Sequence, residues 1–339
     1  MADKSSLGVL LVNLGTPDSP TAPDIRHYLA EFLSDPRIVN MPRLIWLPIL
    51  HGLVLPFQPK KLAPKYKSIW TDDGAPIRLY TEQLAKILNQ SAAIIGGRTC
   101  IFQSAMTYGN PSIYQSLNTL LKQGVKEILV LPLFPQYSAA TTAAVLDKLN
   151  LALAKSEIHS TETPTIRFIT DYHDNALYIT AISKSLDKSM VTFDSQTKVL
   201  LSFHGLPQAQ VDAGDPYEKH CVRSAELITC ATKLADNQWQ LTYQSRFGLA
   251  PWLKPDTRSV LQSLPAKGIK KVIVVCPGFA VDCLETLEEI NDENRKIFMA
   301  AGGEKFTYIP ALNAGQRQIG LILNLVESQI EETTSLSGA

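Results

Sequence analysis

The chain lacks most of the marks that would announce a mechanism. Its 32 basic residues are matched by 32 acidic ones, so it has no excess positive charge to neutralise a phosphate backbone, and nucleic acid is excluded as the main partner. It has no G-x-G-x-x-G and no G-x-x-x-x-G-K-[ST], which removes the dinucleotide and P-loop readings. It has neither H-E-x-x-H nor G-x-S-x-G, so neither a zincin nor an α/β-hydrolase elbow is present. The five cysteines, Cys100, Cys221, Cys230, Cys276 and Cys283, are odd in number and form no C-x-x-C. No zinc knuckle or disulfide framework is indicated, and a reducing, cytoplasmic location is expected. The longest uncharged run, 44–59, is interrupted by Pro48, His51, Gly52, Pro56 and Pro59. It is too short and too broken to span a bilayer as a helix. The start of the chain has one lysine and an apolar run broken by Asn13, and reads as a first β-strand rather than a secretion signal.

What is present is an ordinary core-forming composition. With 339 residues, 45% hydrophobic and 19% charged, the chain has room for two packed domains. Apolar, β-branched runs bounded by glycine or proline predict strands at 8–14, 100–107, 127–133 and 165–170, then at 198–203, 240–245, 271–276 and 305–309. Helical periodicity lies between them at 113–122, 142–154, 177–184 and 218–235. This alternation predicts an α/β chain of two similar doubly wound (flavodoxin/Rossmann-like) parallel-sheet domains. We expect them at 1–175, with an insertion at about 35–77, and at 176–314, followed by a helix at 315–332 that packs back on the first.

The two halves echo each other. NLGTP at 13–17 matches FHGLP at 203–207, which sets Leu14 on His204. LPLFPQYSAATT at 131–142 matches CPGFAVDCLETL at 276–287, which sets Ala140 on Glu285. Two matches in the same order point to a duplicated domain, apolar in the first copy where the second carries an imidazole and a carboxylate.

In open parallel sheets, ligands bind beyond the carboxyl ends of the strands where the strand order reverses. In a flavodoxin-like order that point lies between the first and third strands. His204 ends the first strand of the second half and Glu285 follows its third strand, so the two should converge. Alone, His204 reads as readily as a hydrogen-bonded core histidine. Glu285, Glu289 and Glu293 recur at i, i+4, i+8 and should stack on one helix face. Like charges so spaced destabilise a helix by about a few tenths of a kcal/mol per pair, which invites a compensating cation; the alternative is a solvated acidic face. One imidazole and one carboxylate suit Fe(II) or Zn(II) and make an open site fit for transit. His204 can also serve as a base near neutral pH. The uncharged run, with Trp46 and Phe57, suits a lip touching a flat apolar ligand or a membrane surface; the alternative is a loop packed on its own domain.

LLSFHGLPQAQVDAGDPY at 200–217 resembles the characteristic segment of the ferrochelatases, which insert Fe(II) into protoporphyrin IX. The resemblance extends through NLGTPDSP, GAPI, PQYS, QSRFG with PWL, and CPGFAVDCLETLEEI with YIPALN, nearly the whole chain. It implies a lyase of the terminal step of heme biosynthesis, with an active-site cleft between two similar domains. It implies His204 and Glu285 as the metal-binding and catalytic pair, and Glu289 and Glu293 as a path for metal or protons. Leu14, Tyr108 and Trp252 would line the porphyrin pocket. The partners implied are protoporphyrin IX and Fe(II), with no tightly bound cofactor, a monomer or weak dimer, and peripheral membrane contact through the lip. Thr107 departs from the family by standing where many relatives carry arginine, and Cys283 by standing where others carry histidine. The end of the chain has no cysteine, so the [2Fe–2S] cluster of some relatives is not expected. The competing readings are a chelatase for coproporphyrin III or another metal, and a tetrapyrrole carrier without turnover. The presence of both His204 and Glu285 favours the enzyme.

Overall fold

The computed structural model describes residues 6–91, 94–156, 164–187, 189, 193–248 and 250–337; residues 1–5 of the expected signal-free start lie outside them. The chain forms two compact units, Met1–Leu133 with Ala139–Thr170 and Ala314–Ala339, and Phe134–Ser138 with Asp171–Asn313. In the first, β1 (Leu7–Thr16), β2 (Ile94–Ile95), β3 (Arg98–Gly109), β4 (Glu127–Pro132) and β5 (Thr165–Phe168) form a sheet of order β2-β3-β1-β4-β5. All pairings are parallel except the short β2–β3 contact. In the second, β6 (Thr197–His204), β7 (Trp239–Gln244), β8 (Lys271–Val275) and β9 (Lys305–Ile309) form an all-parallel sheet of order β7-β6-β8-β9.

The central strands bury both faces, which is why they read as unbroken apolar runs: Val9, Leu10, Leu11 and Val12 of β1 and Val199, Leu200 and Leu201 of β6 are fully buried. In each unit the first parallel strand lies between the second and third, so the order reverses beside β1 and beside β6. The repeated glycine has a physical cause. A Cβ on Gly15 would lie 1.8 Å from the Tyr108 carbonyl oxygen, and one on Gly205 would lie 2.7 Å from that of Gln244. In both units the chain leaves the first strand too close to the second to admit a side chain.

Two expectations are corrected. The acidic segment Glu285–Asn294 is a π-helix, not an α-helix, and continues as the α-helix Arg295–Ala300. The first unit has its own π segment, Ala139–Ala143, after its third parallel strand and before the helix Ala144–Lys155. The amphipathic spacing of four that predicts an α-helix also fits the wider turn, so the pattern alone could not separate them; π segments are rare and cluster at functional sites.

The insertion is helical rather than a loop. Arg43–Ile49, a π turn at Leu50–Val54, and Leu55–Ile69 follow one another despite Pro48, Pro59 and Pro64, and the last packs on the helix Ala22–Leu33. Proline costs a helix its i→i−4 bond, and a π turn is a common place to absorb that misfit. Trp46 does not face outward: it is buried, and its Nε1 donates to the Leu33 carbonyl at 2.6 Å. Leu44 at 92%, Leu53 at 62% and Phe57 at 60% exposure form the apolar outer surface. Among the described residues no helix is long and apolar enough to cross a membrane.

Candidate functional site

The strand β6 is buried up to Phe203 and delivers His204 exposed at its carboxyl end. The Gly205 N–H donates to the Gln244 carbonyl at 2.7 Å, and the Leu253 N–H to the Leu206 carbonyl at 3.0 Å. The loop after His204 is thus pinned to β7 on one side and to the Trp252 segment on the other. The Trp252 ring lies against Gly205, at contact distance from where a Cβ would stand. The imidazole Nδ1 is 2.6 Å from the Gly205 carbonyl oxygen. A carbonyl only accepts, so Nδ1 carries the proton and a neutral His204 keeps its lone pair on Nε2. The Phe279 ring stands 6.4 Å away, centroid to centroid.

Sequence reasoning missed Tyr217, the last residue of the 200–217 segment and the first of the helix Tyr217–Ala231. Its buried hydroxyl donates to the His204 carbonyl at 3.0 Å, and its own N–H is capped by Asp215 Oδ1 at 3.0 Å. A tyrosine after G-D-P at a helix start was the available signal.

Glu285 opens the π-helix, half-buried. The turn before it is held by Asp282, a buried carboxylate that accepts from Tyr308 Oη at 2.5 Å, Asn313 Nδ2 at 2.7 Å and Thr286 Oγ1 at 3.0 Å. Gln244 Nε2 donates to the Glu285 carbonyl at 3.0 Å. Cys283 is buried, and burial with the nearby Glu285 carboxylate pushes its thiol well up. It packs as a neutral thiol.

One turn on, both oxygens of Glu289 are engaged by Ser245, Oε1 by the backbone N–H at 2.7 Å and Oε2 by the hydroxyl at 2.5 Å. Ser245 holds a left-handed backbone, φ 62°, which aims both donors at one carboxylate. Burial raises the Glu289 pKa, the two Ser245 bonds and the charge of His204 oppose that, and Glu285 adds to it. Glu289 thus feels His204 and Glu285 directly. Glu293 lies outward and pairs with Arg258 at 3.2 Å. The three carboxylates have different surroundings: among the described residues Glu289 is held by Ser245 and Glu293 by Arg258.

In the first unit, Leu14 stands near the end of β1, half-buried, its N–H on Asn13 Oδ1 at 2.8 Å. Tyr108 is 0% exposed, its hydroxyl donates to Asp35 Oδ2 at 2.9 Å, and Phe32 packs on its ring edge to face. Burial and the Asp35 charge raise its pKa far above the ordinary phenol. Thr107 is also buried and donates to the Asn13 carbonyl at 3.0 Å.

A second group, Asp171, His173 and His220, has donor atoms within 4.8 Å of one another. The two imidazoles are stacked, centroids 3.7 Å apart and planes 6° from parallel. An imidazole binds metal through a lone pair in its ring plane, so parallel stacked rings cannot both aim at one ion. The group is better explained as packing: His173 Nδ1 lies 2.7 Å from Asp171, and His220 Nδ1 accepts the Tyr137 N–H at 3.2 Å.

An exposed imidazole and two half-buried carboxylates beside a strand-order reversal suit handling of a divalent cation with proton exchange. The fold is similar to that of solved chelatases. The sirohydrochlorin chelatase SirB from Bacillus subtilis subspecies spizizenii superposes with a TM-score of 0.54 at 10% identity, covering 94% of this chain and 93% of that one. DR2241 from Deinococcus radiodurans, described as structurally similar to chelatases, gives 0.51 at 12% identity, covering 95% of this chain and 55% of that one. The family follows from sequence. The model of the ferrochelatase family matches residues 6–330. A ferrochelatase of Hamiltonella defensa is 47% identical, covering 95% of this chain and 98% of its own, and one of Vibrio parahaemolyticus is 43% identical, covering 97% and 100%. The chain belongs to the ferrochelatase family.

Proposed function

We propose that His204 and Glu285 carry out the reaction of this family, insertion of Fe(II) into protoporphyrin IX to give protoheme. The observation that carries the reading is the exposed imidazole at the end of β6 beside an acidic π-helix whose first carbonyl is tied to the neighbouring strand. Two pyrrole N–H protons must leave as the metal enters. His204, with Nε2 unprotonated in its neutral form, accepts them one at a time, and Glu285 binds the metal or passes each proton outward. Glu289 and Glu293 extend the negative path, Glu289 as a carboxylate fixed by Ser245. Trp252 and Leu14 contact the macrocycle, and porphyrin binding energy offsets the cost of bending it. Tyr108, expected to line the pocket, is fully buried beside Phe32, so its role is to steady the end of β3 rather than to touch the macrocycle.

The exposed apolar face of the insertion supports a peripheral membrane contact for a protein placed in the cytoplasm, acting as a monomer or weak dimer. We expect no iron–sulfur cluster, because Cys221, Cys230, Cys276 and Cys283 have no compact ligand spacing. The test is anaerobic Fe(II) insertion assayed in parallel with protoporphyrin IX and coproporphyrin III. Faster turnover of protoporphyrin IX is expected. Preference for coproporphyrin III would replace the substrate, and binding without turnover of either would replace the enzyme with a carrier.

A further inference from the structure

We propose that Gln244 is a positioning residue for metal insertion, setting the Glu285 turn relative to the His204 strand end. This rests on the reading of His204 and Glu285 as the working pair. Gln244 closes β7, is 1% exposed, and lies opposite His204 in the parallel register. Its carbonyl accepts the Gly205 N–H at 2.7 Å, which fixes the chain just after the imidazole. Its side chain reaches the other way. Nε2 donates to the Glu285 carbonyl at 3.0 Å, while Oε1 accepts from Ser202 Oγ at 2.8 Å and from Cys276 Sγ at 3.4 Å.

These partners set the amide orientation, because the Glu285 carbonyl can only accept and the Cys276 thiol faces Oε1 as a donor. Ser202 and Cys276 belong to β6 and to the end of β8, so one amide is braced by two strands and holds the first residue of the π-helix. The next residue, Ser245, grips Glu289 one turn later. The Gln244–Ser245 pair therefore fixes the π-helix at two successive turns against the strand that ends in His204. Catalytic groups about 1 Å out of place cost on the order of 100-fold in rate. An uncharged, fully bonded residue that touches no reacting atom can therefore still control kcat.

The test compares Gln244→Met, which keeps the volume and loses the polar contacts, with Gln244→Glu, which keeps the acceptor for Ser202 and Cys276 but loses the donor to Glu285. Folding is checked by circular dichroism and by porphyrin binding. Both variants should bind protoporphyrin IX within about twofold of wild type and lose about tenfold or more in kcat for Fe(II) insertion. The loss should fall on kcat per folded enzyme while the KM for Fe(II) and the affinity for porphyrin are kept; a merely structural loss lowers the folded fraction and leaves kcat per folded enzyme unchanged. Unchanged kcat in both variants, or a deficit that only tracks lost folded protein, would overturn the proposal. His204→Ala is run alongside. If it is inactive while the Gln244 variants are normal, only the positioning role fails; if it turns over normally, the pair fails and this role with it.

Discussion

At Gly15 an added Cβ would fall 1.8 Å from a carbonyl oxygen on a backbone with φ 119°, and at Gly205 one would fall 2.7 Å from its counterpart. Gly15→Ala meets both a clash and a disfavoured backbone and should cost more than about 3 kcal/mol, and Gly205→Ala about 2 kcal/mol. Melting temperatures of the two variants check this; equal, small shifts would mean the strand ends yield easily. His220 gives a pH prediction. Burial and His173 push its imidazole below the ordinary value, against the pull of Asp171, Asp174 and Asp215. The unfolded chain then takes up this proton at a higher pH than the folded one, so stability falls as the pH drops below about 6.5. His220→Gln keeps an acceptor for the Tyr137 N–H without titrating. Its urea midpoint should fall less between pH 7.5 and 5.5 than that of wild type, and an equal fall would clear His220 of the effect.

Strands and their partners were legible because a parallel strand covered on both faces is a short apolar run with glycine or proline at its ends, and each expected strand is present within about two residues at each end. The π turns were not legible, since spacing by four satisfies both helix types, and the helical insertion was obscured by prolines that a π turn tolerates. Its exposed face supports a prediction: Leu44→Glu with Phe57→Glu should leave the circular dichroism spectrum unchanged and reduce cosedimentation with lipid vesicles. Undiminished binding would remove the insertion as the contact. At the opposite ends of the first unit's strands, Glu127 joins Arg98 of β3 at 2.5 Å and Arg167 of β5, all three largely buried. Glu127→Ala leaves two guanidinium groups without their shared carboxylate and should destabilise by about 3 kcal/mol, with kcat of the folded fraction unchanged. The melting temperature and the active-site titre together read this out.

Across the whole chain, the duplication carried the most information. It set an apolar residue and an alanine against His204 and Glu285, and the structure adds the same strand order, the same crowded glycine and a π segment after the third strand of each unit. What the sequence could not display were the groups that hold the site: Tyr217 on the His204 carbonyl, Asp282 at the π-helix start, and Gln244 and Ser245 on the acidic helix. Their partners lie roughly 13 to 44 residues away along the chain, and no local pattern encodes such contacts. The account rests on His204 taking the pyrrole protons. Its most direct test is anaerobic Fe(II) insertion by His204→Ala, with protoporphyrin IX binding followed on the same preparation by fluorescence. The account predicts retained porphyrin binding with metal insertion abolished; near-normal turnover would contradict it.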